Sequence, residues 1–271
     1  MRLVTLRTAD GTRAGRLDDD RVVPLDAADV AAVLERGIGN VGEDGDSIAL
    51  ADADLAPVIP RPSKIFCLGL NYRSHIEEMG AELPENPTLF AKFPAALIGA
   101  RDPIRLPEAS KAVDWEAELA FVVGRRVRNA SAQEAAEAIG GYTICNDISM
   151  RDWQWRTSQW LQGKTWEGST PLGPALVTPD EVDHASDLLL RCEVDGEVMQ
   201  EARTSDLLFK PADIVRYVST IVTLEPGDVF STGTPGGVGA GMQPPRFLQA
   251  GQVVRTSIEG LGELVNECVK S

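Results

Sequence analysis

The chain has 271 residues, 43% of them apolar and 25% charged, which suits one substantial domain with an appendage or two modest domains. With 41 acidic and 26 basic side chains the net charge is −15, and no basic stripe offsets it locally; such a surface repels phosphate backbones and anionic membranes, so neither nucleic acid nor a membrane is an expected partner. Cys67, Cys145, Cys192 and Cys268 lie too far apart for a zinc or redox pair, no signal-peptide core or span-length apolar run occurs, and the expected location is cytoplasmic.

Residues 2–8 alternate apolar and polar side chains as a half-buried strand does. Asp10-Gly11 signals a hairpin turn, residues 12–17 form the return strand, and residues 21–25 a third strand. Asp26 is placed to cap a helix running through Glu35, with Gly37 after it. Residues 42–54 read as an acidic loop. The proline-rich stretch at 57–62 marks a boundary between a small N-terminal α+β domain, residues 1–58, and a larger, mostly β domain, residues 59–271. In the larger unit, strands are expected at 64–70, 113–124, 142–147 and 229–232. Ser131 and Glu134 form a capping box before a helix ending at Gly140-Gly141, and Pro211 opens a helix reaching about Ile221.

The most informative segment is Val113-Asp-Trp-Glu-Ala-Glu-Leu-Ala-Phe-Val-Val123. Residues two apart on a strand share a face, so Ala117, Leu119 and Phe121 point into a core while Glu116 and Glu118 lie side by side on the other face. Two such carboxylates repel unless a cation or proton sits between them. A solvated sheet face would carry them at little cost, but Trp115, Val122 and Val123 argue against free surface here. Asp147 ends the apolar strand at 142–147; alone it reads equally well as a turn cap. Three hard oxygen donors without histidine or cysteine would select magnesium, manganese or calcium, and a nearby lysine would offset the remaining negative charge.

His75 is one of two histidines, and in a helical turn it faces Glu78, a pairing that suits a general base and equally an exposed histidine with an acidic neighbour. His184 reads as a surface loop residue. The run Ser231-Thr-Gly-Thr-Pro-Gly-Gly-Val-Gly239 is neither a P-loop nor a dinucleotide fingerprint; its N–H groups could cradle a carboxylate or simply form a tight turn.

In order, Gly69-Leu-Asn-Tyr-x-x-His75-x-x-Glu78, Asp114-Trp-Glu116-x-Glu118-Leu, Gly141-Tyr-x-x-x-Asn-Asp147-x-Ser-x-Arg-Asp-x-Gln154, Gly163-Lys164, Pro171-Leu-Gly-Pro174 and Thr232-Gly-Thr-Pro-Gly-Gly-Val-Gly239 resemble the fumarylacetoacetate hydrolase family, from about residue 60 to the C-terminus. The resemblance implies an α+β, predominantly β fold, a mixed β-roll or sandwich catalytic domain with a small N-terminal domain, and a homodimer. It implies Mg²⁺ or Mn²⁺ on Glu116, Glu118 and Asp147, water activation by His75 and Glu78, charge stabilisation by Lys164, substrate contacts from Gln154 and Thr234, and a mobile lid over 74–87. No acid occupies the run Cys67-Leu-Gly-Leu-Asn-Tyr, where the longer, name-giving branch has an aspartate ligand, so the chain looks like the short acylpyruvase-like branch. Glu167 is a second departure, and Trp153, Trp155, Trp160 and Trp166 crowd the region that shapes the pocket. The expected activity is hydrolysis of a C–C bond in a small acylpyruvate-type 2-oxo acid through an enolate. Oxaloacetate decarboxylation, hydroxy-dienedioate isomerisation and a non-catalytic protein that binds metal and 2-oxo acid are the alternatives.

Overall fold

The computed structural model describes residues 1–78, 80 and 82–271, with Glu78 described by its backbone alone. In chain order the strands are β1 Arg2–Thr8, β2 Gly11–Asp18, β3 Arg21–Pro24, β4 Ile48–Ala49, β5 Ile65–Gly69, β6 Thr88–Ala91, β7 Leu97–Ile98, β8 Ile104–Leu106, β9 Val113–Asp114, β10 Ala117–Val123, β11 Ile139–Asn146, β12 Ser149–Met150, β13 Thr170–Val177, β14 Leu189–Val194, β15 Glu197–Arg203, β16 Val229–Ser231, β17 Val253–Ile258 and β18 Gly262–Lys270. The helices are short: α1 Val30–Arg36, α2 Arg73–Glu78, α3 Ala132–Glu137, α4 Arg151–Gln154, α5 Leu161–Lys164 and α6 Pro211–Ser219.

The period-2 pattern of β10 organises the molecule. Ala117, Leu119, Phe121 and Val123 point into one core, and Ala120 and Val122 into another. Both faces of the strand are therefore covered, and every residue of β10 is buried. The main sheet runs β4-β3-β2-β1-β13-β11-β10-β16-β5-β6, with β7 joining β13 from the side. A second sheet, β15-β14-β17-β18-β8, contributes Leu190, Cys192, Val254, Ile258 and Leu264 to the core on one face of β10. On the other face, α1 contributes Val30, Val33 and Leu34. The fold is the mixed-sheet, mainly β architecture expected from the sequence. The first four strands extend the main sheet through β1 and β13, where Leu3 lies opposite Leu176.

Several elements differ from expectation in their ends. Helix α1 is capped by Asp29, which accepts from the Ala32 N–H at 2.9 Å, and not by Asp26. The capping box at Ser131 and Glu134 forms as expected. Gly140-Gly141, expected to end α3, instead lie inside β11, because a glycine backbone is required there. A Cβ on Gly141 would sit 2.7 Å from both Leu176 Cγ and the Val177 carbonyl oxygen. The strand expected over 113–124 is broken at Trp115 and Glu116. Side chains take the backbone donors at the break: the N–H groups of Trp115, Glu116 and Ala117 donate to Asp114, Asn146 and Gln200. Those groups leave the strand ladder, and Glu116 is re-aimed.

Gly141→Ala should therefore overpack the β11–β13 contact and destabilise the protein by about 1–3 kcal/mol. A thermal melt should show a fall of several degrees, roughly 2–4 °C for each kcal/mol. An unchanged melting temperature would show that these strands can separate freely.

Candidate active site

Glu118 lies within β10, where its Oε2 accepts from Ser231 Oγ at 2.6 Å and from the Gly233 N–H at 2.7 Å. Its Oε1 is buried and has no hydrogen-bond partner among the described residues. Pairing of Ala117 with Asn146 sets Glu116 beside Asp147, whose N–H donates to the Glu116 carbonyl at 2.8 Å. Carboxylate oxygens of Glu116, Glu118 and Asp147 consequently meet within 4.8 Å of one another, all on buried residues.

Three buried cations surround this trio. Lys164 Nζ lies 2.6 Å from Glu116 Oε2 and 2.9 Å from Asp147 Oδ2. Lys92 Nζ pairs with the other oxygen of Asp147. Arg151 bridges Glu116 Oε1 at 2.6 Å and Asp114 Oδ2 at 2.8 Å, and also donates to Gln154 Oε1 at 2.9 Å. Burial, followed by the charges of Asp147 and Glu116, holds the Glu118 carboxyl well above the usual carboxylate range. Asp147 is as deeply buried, which alone would raise it, but Lys164 and Lys92 pull it below its ordinary value. Burial likewise disfavours the Lys164 ammonium, yet Asp147 and Glu116 outweigh that and raise its pKa, so Lys164 stays charged at neutral pH.

The donor set fits a hard divalent cation. All three groups offer carboxylate oxygens, and among the described residues the buried Glu118 Oε1 has no hydrogen-bond partner, a position a cation could satisfy. A cleft of roughly 490 Å³ opens onto this cluster. Glu116, Lys164, His75, Gln154 and Thr234 all line it, together with Phe90 and Trp160. Thr234 already donates its hydroxyl to the Ala117 carbonyl and accepts from Gln200 Nε2. The expected pairing of His75 with Glu78 falls on a side chain outside the described residues, as do residues 79 and 81 of the expected lid over 74–87. His184 is exposed on a turn, with φ of 52°.

The glycine-rich run cradles carboxylates, but they are the protein's own. Gly239 and Ala240 N–H donate to the buried Asp114, and Gly233 N–H to Glu118. Of the four crowded tryptophans, Trp155 and Trp160 line the cleft. Trp153 and Trp166 pack edge to face against each other, 5.0 Å between centroids. The sequence reading assigns no role to Asp114, Arg151 or Lys92. Asp114 and Arg151 stand inside legible motifs; for Lys92 the available signal is a lysine following the apolar run Leu89-Phe-Ala91.

The chain matches the model of the fumarylacetoacetate hydrolase C-terminal family over residues 64–269. It belongs to that family. It is 47% identical over 217 residues to a mitochondrial oxaloacetate tautomerase of Xenopus laevis, covering 79% of this chain and 68% of that protein. Identity to the corresponding tautomerase of Homo sapiens is 45% over 217 residues, with 79% and 69% covered. Among solved structures it resembles a fumarylacetoacetate hydrolase from the psychrophile Exiguobacterium antarcticum, with TM-score 0.87 and 32% identity over 100% of both chains. It also resembles a 5-carboxymethyl-2-hydroxymuconate delta-isomerase from Mycobacterium smegmatis, with TM-score 0.84 and 38% identity, again over 100% of both. This is a family of enzymes acting on small molecules, and among the described residues no helix is long and apolar enough to cross a membrane.

Glu118 gives a pH and metal test. Its folded-state pKa lies above the unfolded value, so folding binds a proton the unfolded chain has released. That contribution is present at low pH and is lost as pH rises through the raised value; Asp147, shifted down, contributes in the opposite sense. Glu118→Gln removes the liability and gives the orphan position a donor. At pH 8 and without metal, the variant should melt above wild type, by the order of the 1–3 kcal/mol attached to an unsatisfied buried group. Mn²⁺ should raise the melting temperature of wild type, and the variant should lose that gain. A variant that still gains stability from Mn²⁺ would remove Glu118 from the ligand set.

Proposed function

We propose that this protein interconverts the enol and keto forms of a small 2-oxo dicarboxylic acid of the oxaloacetate type, with a hard divalent cation such as Mg²⁺ or Mn²⁺. The observation that carries the reading is that a lysine kept charged by its neighbours and an imidazole line the same cleft as Glu116. The names of the sequence relatives and of the isomerase neighbour support it, since each reaction moves a proton along a 2-oxo acid or its enol.

Glu116, Glu118 and Asp147 would hold the cation, which when bound supplies Lewis-acid polarisation of the keto group. Lys164 offsets the negative charge that develops on the enolate oxygen. It cannot serve as the base, because Asp147 and Glu116 hold its proton. His75, on the same cleft wall, takes that role: it removes or delivers the proton at the carbon beside the keto group, while the proton on the enol oxygen exchanges with solvent in the cleft. Gln154, braced by Arg151, and Thr234 orient the carboxylates of the acid. A homodimer and an accessory N-terminal unit over residues 1–58 are part of the proposal, on the resemblance to the family.

A second reading, C–C bond hydrolysis of an acylpyruvate with water activated by His75 and Glu78, draws its support from the Exiguobacterium hydrolase. The two readings separate in one assay. With Mn²⁺ or Mg²⁺, wild type should speed the loss of the enol ultraviolet band of oxaloacetate without releasing pyruvate, and His75→Ala should slow it by about 10²–10⁴-fold. Faster turnover of acylpyruvates, with pyruvate released, would replace the tautomerase reading with the hydrolase one.

A further inference from the structure

Trp160 stands on the cleft wall at a position with no room behind it. An ideal Cβ on Gly69 would lie 2.3 Å from its Cζ3 and 2.7 Å from its Cη2, so the six-membered ring rests directly on the backbone of β5. The indole meets Phe90 edge to face, with centroids 5.5 Å apart. Phe90 in turn lies under the Lys164 ammonium, 5.1 Å from ring centroid to Nζ. Lys164, Phe90, Trp160 and Gly69 line one continuous stretch of the cleft that starts at the carboxylate cluster. Trp160 also heads the turn that carries Lys164, its carbonyl accepting from the Gly163 N–H at 2.9 Å. Gly69 and Phe90 thus bound the ring on two sides.

We infer that Trp160 limits the length of acid the cleft accepts, favouring shorter 2-oxo dicarboxylic acids over longer ones. The inference rests on the functional reading above and narrows it. The charged head of the substrate belongs beside Glu116 and Lys164, where the charges are. A tail extending from there runs along Phe90 and meets the indole face, which offers no charged partner for a distal carboxylate. A longer chain must therefore displace an aromatic ring backed by main chain or leave its second carboxylate against an apolar surface. Discrimination of this kind, one or two methylenes against a fixed wall, is worth about 10–200-fold in specificity.

The test is calorimetric and kinetic, on the Mn²⁺-loaded full chain. Wild type, Trp160→Ala and Trp160→Phe are titrated with oxalate, which presents the head alone, then with oxaloacetate, 2-oxoglutarate and 2-oxoadipate; kcat/KM follows for each acid that turns over. Oxalate should bind all three proteins. Trp160→Ala should improve binding of 2-oxoadipate relative to oxaloacetate by about tenfold or more, with Trp160→Phe between it and wild type. Oxalate binding by all three with an unchanged length preference would overturn the length role while leaving the functional reading intact. Failure of wild type to bind oxalate or oxaloacetate with Mn²⁺ would overturn the functional reading itself. Should Trp160→Ala not fold, Trp160→Phe must still shift preference toward the longer acids, and no shift there counts against the inference.

Discussion

Three buried carboxylates with oxygens held within 4.8 Å of one another are the constraint on which this structure turns. At an effective dielectric near 20, each pair of like charges at that separation repels by about 3–4 kcal/mol. Were all three ionised, three such pairs would rival the net stability of a whole domain, about 5–15 kcal/mol, and the raised Glu118 carboxyl relieves part of that repulsion by favouring its protonated form. Counter-charge is thus a requirement of the fold as well as of the chemistry. The protein brings it from three places along the chain: Lys92 just after β6, Arg151 at the start of α4 and Lys164 at the end of α5. These ion pairs tie short elements, with little apolar surface of their own, to the central strands. Even so, Glu118 is left with an oxygen that no donor among the described residues reaches.

What can be read from the sequence follows from where the physics is local. A glutamate pair two residues apart in an otherwise apolar stretch is costly to bury, and that cost makes Glu116 and Glu118 conspicuous in the chain itself. The capping box at Ser131 is visible for the same reason, since both partners lie within four residues. The break before β10 is not legible, because it is made by Asn146 and Gln200, whose side chains replace strand partners from 30 and 83 residues away. Nor can the cap of α1 be chosen between Asp26 and Asp29 by composition, both being aspartates; only the approach of the Ala32 N–H decides it. Gly140-Gly141 reads as a helix stop, yet what demands glycine is the closeness of Gly124 to Gly140 and of Leu176 and Val177, about 35 residues on, to Gly141. Lys92 escapes notice because a lysine after a short apolar run usually snorkels to water; here it is fully buried on Asp147.

Asp114 shows how the glycine-rich segment and the acid cluster become one object. Its carboxylate accepts from Gly239, Ala240, Trp115 and Arg151 and is completely buried. Gly239 can approach that closely because it lacks a side chain: a Cβ there would lie 1.9 Å from the Arg246 carbonyl oxygen and 2.9 Å from Asp114 Oδ1. The loop thus closes on an internal anion, and the same anion orients the guanidinium that grips Glu116 and Gln154. The N–H groups of Gly233, Gly239 and Ala240 are spent on framing the site. The cleft wall is largely apolar and aromatic, while nearly all of the charge sits at one end. On the proposed reading the head of the substrate is chosen by electrostatics and the tail by shape, and the two choices rest on different residues.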